Sequence, residues 1–148
     1  MTNDEYRVLM GSEPWLVKDS EAVVREGSGE YVYDLEERTA RFGEAIIDFL
    51  KKAPLGPRTD RLVGQLTGCG TSVGANYCES DDAVSLKEFA KNIGTCRKEA
   101  REAKFFIRMI VRACPELALE ARPLWREANE LHLIFSKIRR TIQSKQSS

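Results

Sequence analysis

Histidine is almost absent from this sequence, and the residues that usually build metal sites are scattered. The 148 residues contain one histidine, His132, with no glutamate three residues before it. Di-iron bundles need Glu-x-x-His pairs on facing helices, so their ligand set is missing. We therefore predict no metal and no cofactor. None of the four cysteines stands in a CxxC spacing: Cys69, Cys78, Cys96 and Cys114.

Long hydrophobic runs are also missing. The longest charge-free stretch, residues 62–78, is rich in Gly, Thr, Ser, Asn and Gln and is too polar for a transmembrane helix. The N-terminus lacks the basic region and apolar segment of a signal peptide, so disulfides are not expected. We predict a cytoplasmic protein with no membrane partner.

Motifs for phosphate binding and nucleophilic catalysis are absent as well. The glycine-rich run at residues 68–71 has neither the lysine of a P-loop nor a preceding strand. Serines are frequent, but no His or Lys is placed by sequence to activate one. Glu79, Asp81 and Asp82 are an alternative cation site, but favourable negative charge before the next helix explains them better. We predict that the protein is not an enzyme.

The formal net charge of zero hides an uneven distribution. Residues 1–33 carry seven acids and three bases, a net charge of −4, so the remainder carries +4. The first 33 residues lack a sustained helical period and contain the breaker Gly-Ser-Gly at residues 27–29. We interpret them as an acidic arm that packs loosely.

Hydrophobic periodicity from residue 34 onward predicts four helices. Capping-box spacings mark the starts of helix 1, at Asp34, and of helix 3, at Ser85. Apolar residues then recur at 3-4 spacing over two long helices, with Leu86 as the first core position of helix 3. This spacing is typical of antiparallel bundles. We predict an all-α, antiparallel up-and-down four-helix bundle over residues 34–143, followed by a frayed tail at residues 144–148.

Prolines set the predicted helix boundaries. Pro54 and Pro57 should end helix 1, and helix 2 should run from about residue 59 to residue 79. Pro115 should end helix 3, and Pro123 should split a short first turn from helix 4.

Helix 2 carries the residues of a family resemblance. The segments Gln-Leu at 65–66 and GTSVGANY at 70–77 resemble the signature of the bacterial four-helix bundle proteins named after the 23S ribosomal RNA intervening-sequence protein. LEERT at 35–39 and KEARE at 98–102 are also similar to that family. The resemblance covers roughly residues 34–140. It implies a bundle that assembles into a ring, commonly a homopentamer. A related branch accompanies reverse transcriptases in retroelements and binds nucleic acid.

The face of helix 2 opposite its core stripe is small and uncharged. A helix on the outside of a monomeric bundle should carry a charged face. Each interior glycine costs about 1 kcal/mol relative to alanine, so close packing must offset the four glycines of this stretch. Packing against another subunit is one interpretation, and tight packing inside one bundle with the polar face wet is the other. The predicted subunit interface consists of Gly64, Gly68, Thr71, Ala75 and Cys78.

Basic residues recur along one side of helix 3, next to the core positions. One interpretation is nucleic-acid binding; the alternative is that their stems cover the core and their charges pair with Glu on adjacent helices or subunits. Phe105 and Phe106 share this helix, but we expect Phe106 to pack, so phosphate contacts should dominate over base stacking. The predicted nucleic-acid site consists of Arg97, Arg101, Lys104, Arg108, Arg112, Arg139 and Arg140.

Two functional classes therefore remain open. The first is a ring-forming protein associated with RNA or DNA, in the setting of a ribosomal RNA insertion or of a reverse transcriptase. The second is a homo-oligomeric scaffold that binds only protein. Genomic neighbours would discriminate between them.

Overall fold

The computed structural model describes residues 22–24 and 31–147, with side chains from Asp34 onward. Four α-helices follow one another in this part of the chain: α1 (Leu35–Leu50), α2 (Pro57–Asp81), α3 (Leu86–Ala113) and α4 (Ala118–Ser147). A 3-10 turn at Pro115–Leu117 leads into α4. Consecutive helices pack on one another, and α1 closes the bundle against α4. The chain is thus an all-α, up-and-down four-helix bundle, as predicted.

Two short strands precede the bundle. Strand β1 (Ala22–Val24) pairs antiparallel with β2 (Tyr31–Tyr33), and Val23 lies opposite Val32. The sequence predicted no regular element in this region, because three residues are too few to show an alternating pattern. The rest of the predicted acidic arm, residues 1–21 and 25–30, lies outside the described residues, as does Ser148.

The two predicted capping residues begin their helices. Asp34 Oδ1 accepts a hydrogen bond from the backbone N–H of Glu37 at 3.1 Å. Ser85 Oγ accepts one from the N–H of Glu88 at 3.1 Å, and the Glu88 carboxylate accepts one from the N–H of Val84 at 3.4 Å. These bonds satisfy donors that have no partner within the helix. The starts of α1 and α3 are therefore confirmed.

The predicted roles of Pro57 and Pro123 and the predicted end of the last helix were wrong. Helix α1 ends at Leu50, and Pro57 begins α2, where a residue without an N–H costs nothing. Pro123 lies inside the continuous helix α4; the separate first turn is the 3-10 turn that begins at Pro115. Leu124 and Trp125, buried directly after Pro123, hold that segment on the core despite the missing hydrogen bond. Helix α4 also continues through Ser147, beyond the predicted end at residue 143.

The core follows the predicted 3-4 spacing. Phe42 of α1, Val73 of α2, Ile107 of α3 and Phe135 of α4 are all completely buried. The exception is Leu86, which is 53% exposed because it is the first residue of α3 and extends past the end of the core. The largest fully buried apolar side chains are Phe42, Phe135, Ile46, Leu66, Ile93, Ile107, Ile110, Leu131 and Val73.

Candidate subunit and nucleic-acid interfaces

The glycines of α2 fall into two groups that face in different directions. A Cβ on Gly70 would lie 3.0 Å from both Cγ atoms of Ile46 on α1. A Cβ on Gly74 would lie 3.2 Å from Oγ1 of Thr39, also on α1. The inner pair is therefore explained by the close approach of α1 and α2 inside one bundle.

The outer pair has no such explanation among the residues that the structure describes. A Cβ on Gly64 or Gly68 would meet no described atom within 4 Å, and both residues are exposed. Thr71, Ala75 and Cys78, the rest of the predicted subunit interface, are also exposed. The structure thus places all five predicted residues on one open strip of surface, which we call the outer α2 face.

The hydroxyl groups of α2 are already engaged by their own helix. Thr71 Oγ1 donates to the carbonyl of Thr67 at 2.7 Å, and Ser72 Oγ donates to the carbonyl of Gly68 at 2.6 Å. Thr67 Oγ1 similarly donates to the carbonyl of Val63 at 2.7 Å. Such bonds to the preceding turn direct the polar atoms toward the backbone. The surface that remains is small, uncharged and able to approach another backbone closely.

The predicted basic stripe on α3 divides into two rows. Arg97, Lys104 and Arg108 are half-buried along the groove between α3 and α4, whereas Arg101 and Arg112 are exposed. Arg97 Nε donates to Ser136 Oγ at 2.9 Å, and Lys104 Nζ donates to Asn129 Oδ1 at 3.1 Å. Lys104 Nζ also lies 5.7 Å from the ring centroid of Trp125. Arg97 and Lys104 are therefore held against α4, by a hydroxyl and an amide and not by the glutamates that the packing alternative expected.

The two predicted arginines of α4 extend the same surface. Because Arg97 contacts Ser136 in an antiparallel pair, Arg139 and Arg140 lie one turn further along, beside the N-terminal half of α3. Both are exposed. The seven predicted basic residues thus share the α3–α4 side of the bundle, which we call the basic face.

His132 lies in the groove between α3 and α4, and its pKa depends on the charges of the basic face. Both of its ring nitrogens are buried and have no hydrogen-bond partner among the described residues. Burial, with the charges of Lys104, Arg97 and Arg101, lowers the pKa of His132 to about 4. The histidine is therefore neutral at pH 7 and lies in a positive field, which suits neither general-base catalysis near neutral pH nor a metal site.

A buried charge pair joins α1 to α4, and the sequence analysis missed it. Arg38 and Glu127 are each 2% exposed. Arg38 Nε lies 2.9 Å and Nη2 2.6 Å from the two carboxylate oxygens of Glu127, and Nη2 is 3.4 Å from Glu130. Burial opposes the charge on Arg38, but the hydrogen bonds and charges of the two glutamates outweigh it and raise its pKa. A signal was available: Arg38 follows the core residue Leu35 by three positions.

The cysteines behave as core residues with one exception. Cys69, Cys96 and Cys114 are buried and Cys78 is exposed. Burial raises the pKa of Cys69 and of Cys96 to about 12, which disfavours the reactive thiolate. Among the described residues, no three His, Cys, Asp or Glu side chains come together as a metal site.

Comparison with known proteins gives the fold and no more. No family model matches the sequence, and no curated protein matches it. Among solved structures, the chain is similar to a protein of unknown function from the S23 ribosomal protein family of Bacteroides thetaiotaomicron. The two share 20% identity with a TM-score of 0.65, and the match covers 71% of this chain and 97% of the other. The helical bundle is thus shared with a member of that family.

No helix within residues 31–147 is both long enough and apolar enough to cross a membrane.

Proposed function

We propose that this protein is a non-enzymatic bundle that assembles into a homo-oligomeric ring and binds RNA or DNA weakly through its basic face. The observation that carries the proposal is the outer α2 face, where no described residue lies within 4 Å of a Cβ placed on Gly64 or Gly68. Two exposed glycines cost about 2 kcal/mol of helix stability, and packing against a second subunit would offset that cost.

The proposed ring and its proposed partners come from the family resemblance. Membership in the 23S ribosomal RNA intervening-sequence family would supply a closed homopentamer, and a reverse transcriptase or another protein would be a further partner. The fold shared with a member of the S23 ribosomal protein family supports this placement. In a closed ring, each subunit contacts the next through two different surfaces. The outer α2 face would be one of them, and a different surface of the neighbouring subunit would be the other.

Self-association is tested by placing a charge on the outer α2 face. Ala75→Arg should bury an unpaired charge in the contact and convert the oligomer to monomer. Ala40→Arg, on an exposed position of α1, is the matched control and should leave the mass unchanged. Light scattering after gel filtration measures both. A monomeric wild-type protein at micromolar concentration would end the ring proposal.

Nucleic-acid binding is supported by the positive field of the basic face. After burial, the charges of Lys104, Arg97 and Arg101 lower the pKa of His132, so the field at its ring is positive. A ring repeats the face on every subunit, and weak contacts then add through avidity. Phosphate contacts release counterions, so affinity should fall with salt at a log–log slope of about −0.9 for each phosphate neutralised on duplex DNA.

The salt slope is the experiment for this part. Arg101→Ala with Arg108→Ala should flatten the slope by about 2 units without changing the mass of the oligomer. Arg41→Ala with Lys51→Ala removes two exposed charges from α1 and its end, and should leave the slope unchanged. Absence of binding at low salt would favour the second candidate, a scaffold that binds only protein, which uses the outer α2 face in the same way.

A further inference from the structure

An exposed aromatic ring lies beside the basic face. Phe105 is 54% exposed, although it lies near the middle of a long helix whose apolar residues are otherwise mostly buried. With 3.6 residues per turn, Phe105 is about 40° around the helix from Arg101 and about 20° from Arg112. The two exposed arginines of the basic face therefore lie on the same side of Phe105, one turn before it and two turns after it along α3.

The neighbouring phenylalanine holds this ring in place. Phe106 is half-buried and packs against the core. The centroids of Phe105 and Phe106 are 5.1 Å apart and their planes are inclined by 81°, an edge-to-face contact. Because Phe106 is anchored, Phe105 is restrained while more than half of its surface stays in water. A restrained ring loses little conformational entropy when a ligand stacks on it.

Arginines beside an exposed aromatic ring match the chemistry of single-stranded nucleic acid. Such proteins combine cations that follow the phosphates with aromatic side chains on which bases stack. In a duplex the base faces are already stacked, so an aromatic side chain on a protein surface gains nothing from them. The phosphates account for the arginines, and an unpaired base accounts for Phe105.

We propose that Phe105 is a stacking platform for an unpaired base, which makes single-stranded RNA or DNA the preferred ligand of the basic face. This inference rests on the proposed nucleic-acid binding and adds the class of ligand. It also revises the sequence-based expectation that base stacking is minor, since that expectation considered the packing of Phe106 but not the exposure of Phe105.

Abasic strands separate stacking from phosphate contacts. The full-length protein is titrated by fluorescence anisotropy with an oligothymidine of about 16 nucleotides, and with a strand of equal length whose bases are removed. A matched duplex is the third probe. The wild-type protein should bind the oligothymidine about 5- to 150-fold more tightly than the abasic strand, which is the range expected for one stacked base.

Variants assign the difference to one ring. Phe105→Ala should reduce binding of the oligothymidine to the level of the abasic strand while leaving the salt slope unchanged. Phe105→Leu keeps apolar bulk without an aromatic face and should behave in the same way. Leu133→Ala, at a position 55% exposed on α4, is the control for loss of an exposed apolar side chain and should change nothing.

The outcomes distinguish the two levels of the proposal. Equal binding of thymidine and abasic strands, or discrimination that survives Phe105→Ala, would overturn the stacking platform and leave phosphate binding intact. No binding of any probe at low salt would overturn both. Preference for the duplex would also contradict the assignment of single strands.

Discussion

The contacts of helix α4 with α1 and with α3 differ in how charge is balanced. Toward α1 it presents Glu127, which is buried and fully matched by the guanidinium of Arg38. Toward α3 it presents a neutral amide, a hydroxyl and the neutral ring of His132 to a row of cations. The first contact cancels charge and serves the fold, whereas the second preserves a positive field on the surface. Under the proposed function, the α3–α4 side is the one that an anionic partner would contact.

The largest effect should come from breaking the matched side. Glu127→Ala leaves the Arg38 guanidinium buried without its partner, and we expect a loss of about 3–5 kcal/mol in the free energy of unfolding. Urea denaturation measures it. Glu130→Gln changes a carboxylate that contacts the same arginine but is 64% exposed, so it should cost less than about 1 kcal/mol. Equal losses for the two variants would contradict the comparison.

Replacing both members of the buried pair tests whether the charge is needed for stability at all. Arg38→Met with Glu127→Leu removes both charges and fills similar volume. We expect this double variant to be within about 1–2 kcal/mol of the wild type, because desolvation of the pair no longer has to be offset. A double variant as unstable as Glu127→Ala would show that the ion pair itself is strongly stabilising.

The α3–α4 side, which contains His132, predicts a pH dependence of stability. The pKa of His132 is about 4 in the folded protein, against an ordinary value of 6.5. The unfolded chain therefore binds a proton first as the pH falls, and His132 contributes a loss of stability between pH 6.5 and pH 4 but none above pH 7. We expect about 1–2 kcal/mol, less than the full shift implies, because the side chain is half-buried. Urea denaturation of the wild type and of His132→Gln, compared across this pH range, isolates the contribution of His132 to the free energy of unfolding.

A new carboxylate on the α3–α4 side of the bundle should weaken nucleic-acid binding. Asn129→Asp places a carboxylate of nearly the same shape beside Lys104. The new charge should raise the pKa of His132, measurable by NMR, and reduce the salt slope of binding by about 0.9. Asn92→Asp, on a half-buried position nearer the start of α3, makes the same change in net charge as a control. Equal effects of the two variants would mean that only net charge matters.

The smallest effect should come from the acidic arm. Residues 1–33 carry a net charge of −4, and we expect this negative charge to compete with nucleic acid for the basic face. Removing residues 1–32 should tighten binding by about threefold or less, since salt screens charges beyond about 8 Å. The bundle should still unfold cooperatively by circular dichroism, because both capping residues remain. Loss of cooperative folding would show that the arm belongs to the core.

The sequence predicted the bundle well because its signals are local. Apolar spacing and the caps at Asp34 and Ser85 act within one or two turns, and both are visible without tertiary contacts. Pro123 misled because a proline within a helix is tolerated when buried neighbours hold the segment, and that information is tertiary. Leu86 misled because periodicity does not show where the core ends.

The candidate surfaces were only partly visible in the sequence. The residues of the outer α2 face and the basic face followed from spacing, and the structure places each set on a common surface. What the sequence could not do was sort the glycines, since only the position of α1 separates Gly70 from Gly68. The exposure of Phe105 and the pairing of Arg38 with Glu127, 89 residues apart, likewise depend on the packed bundle.

Two adjacent residues of α1 determine the hand of the bundle. Arg38 faces Glu127 on α4, while Thr39 faces Gly74 on α2, where a Cβ would lie 3.2 Å from its hydroxyl oxygen. An up-and-down bundle can turn left or right, and both arrangements keep the same apolar stripes in the core. In the mirror arrangement α2 and α4 exchange sides, so Arg38 would be buried against the charge-free stretch of α2 at residues 62–78, and Glu127 would have no cation. The cost of two unpaired charges therefore excludes a misfolded topology that hydrophobic patterning alone would permit.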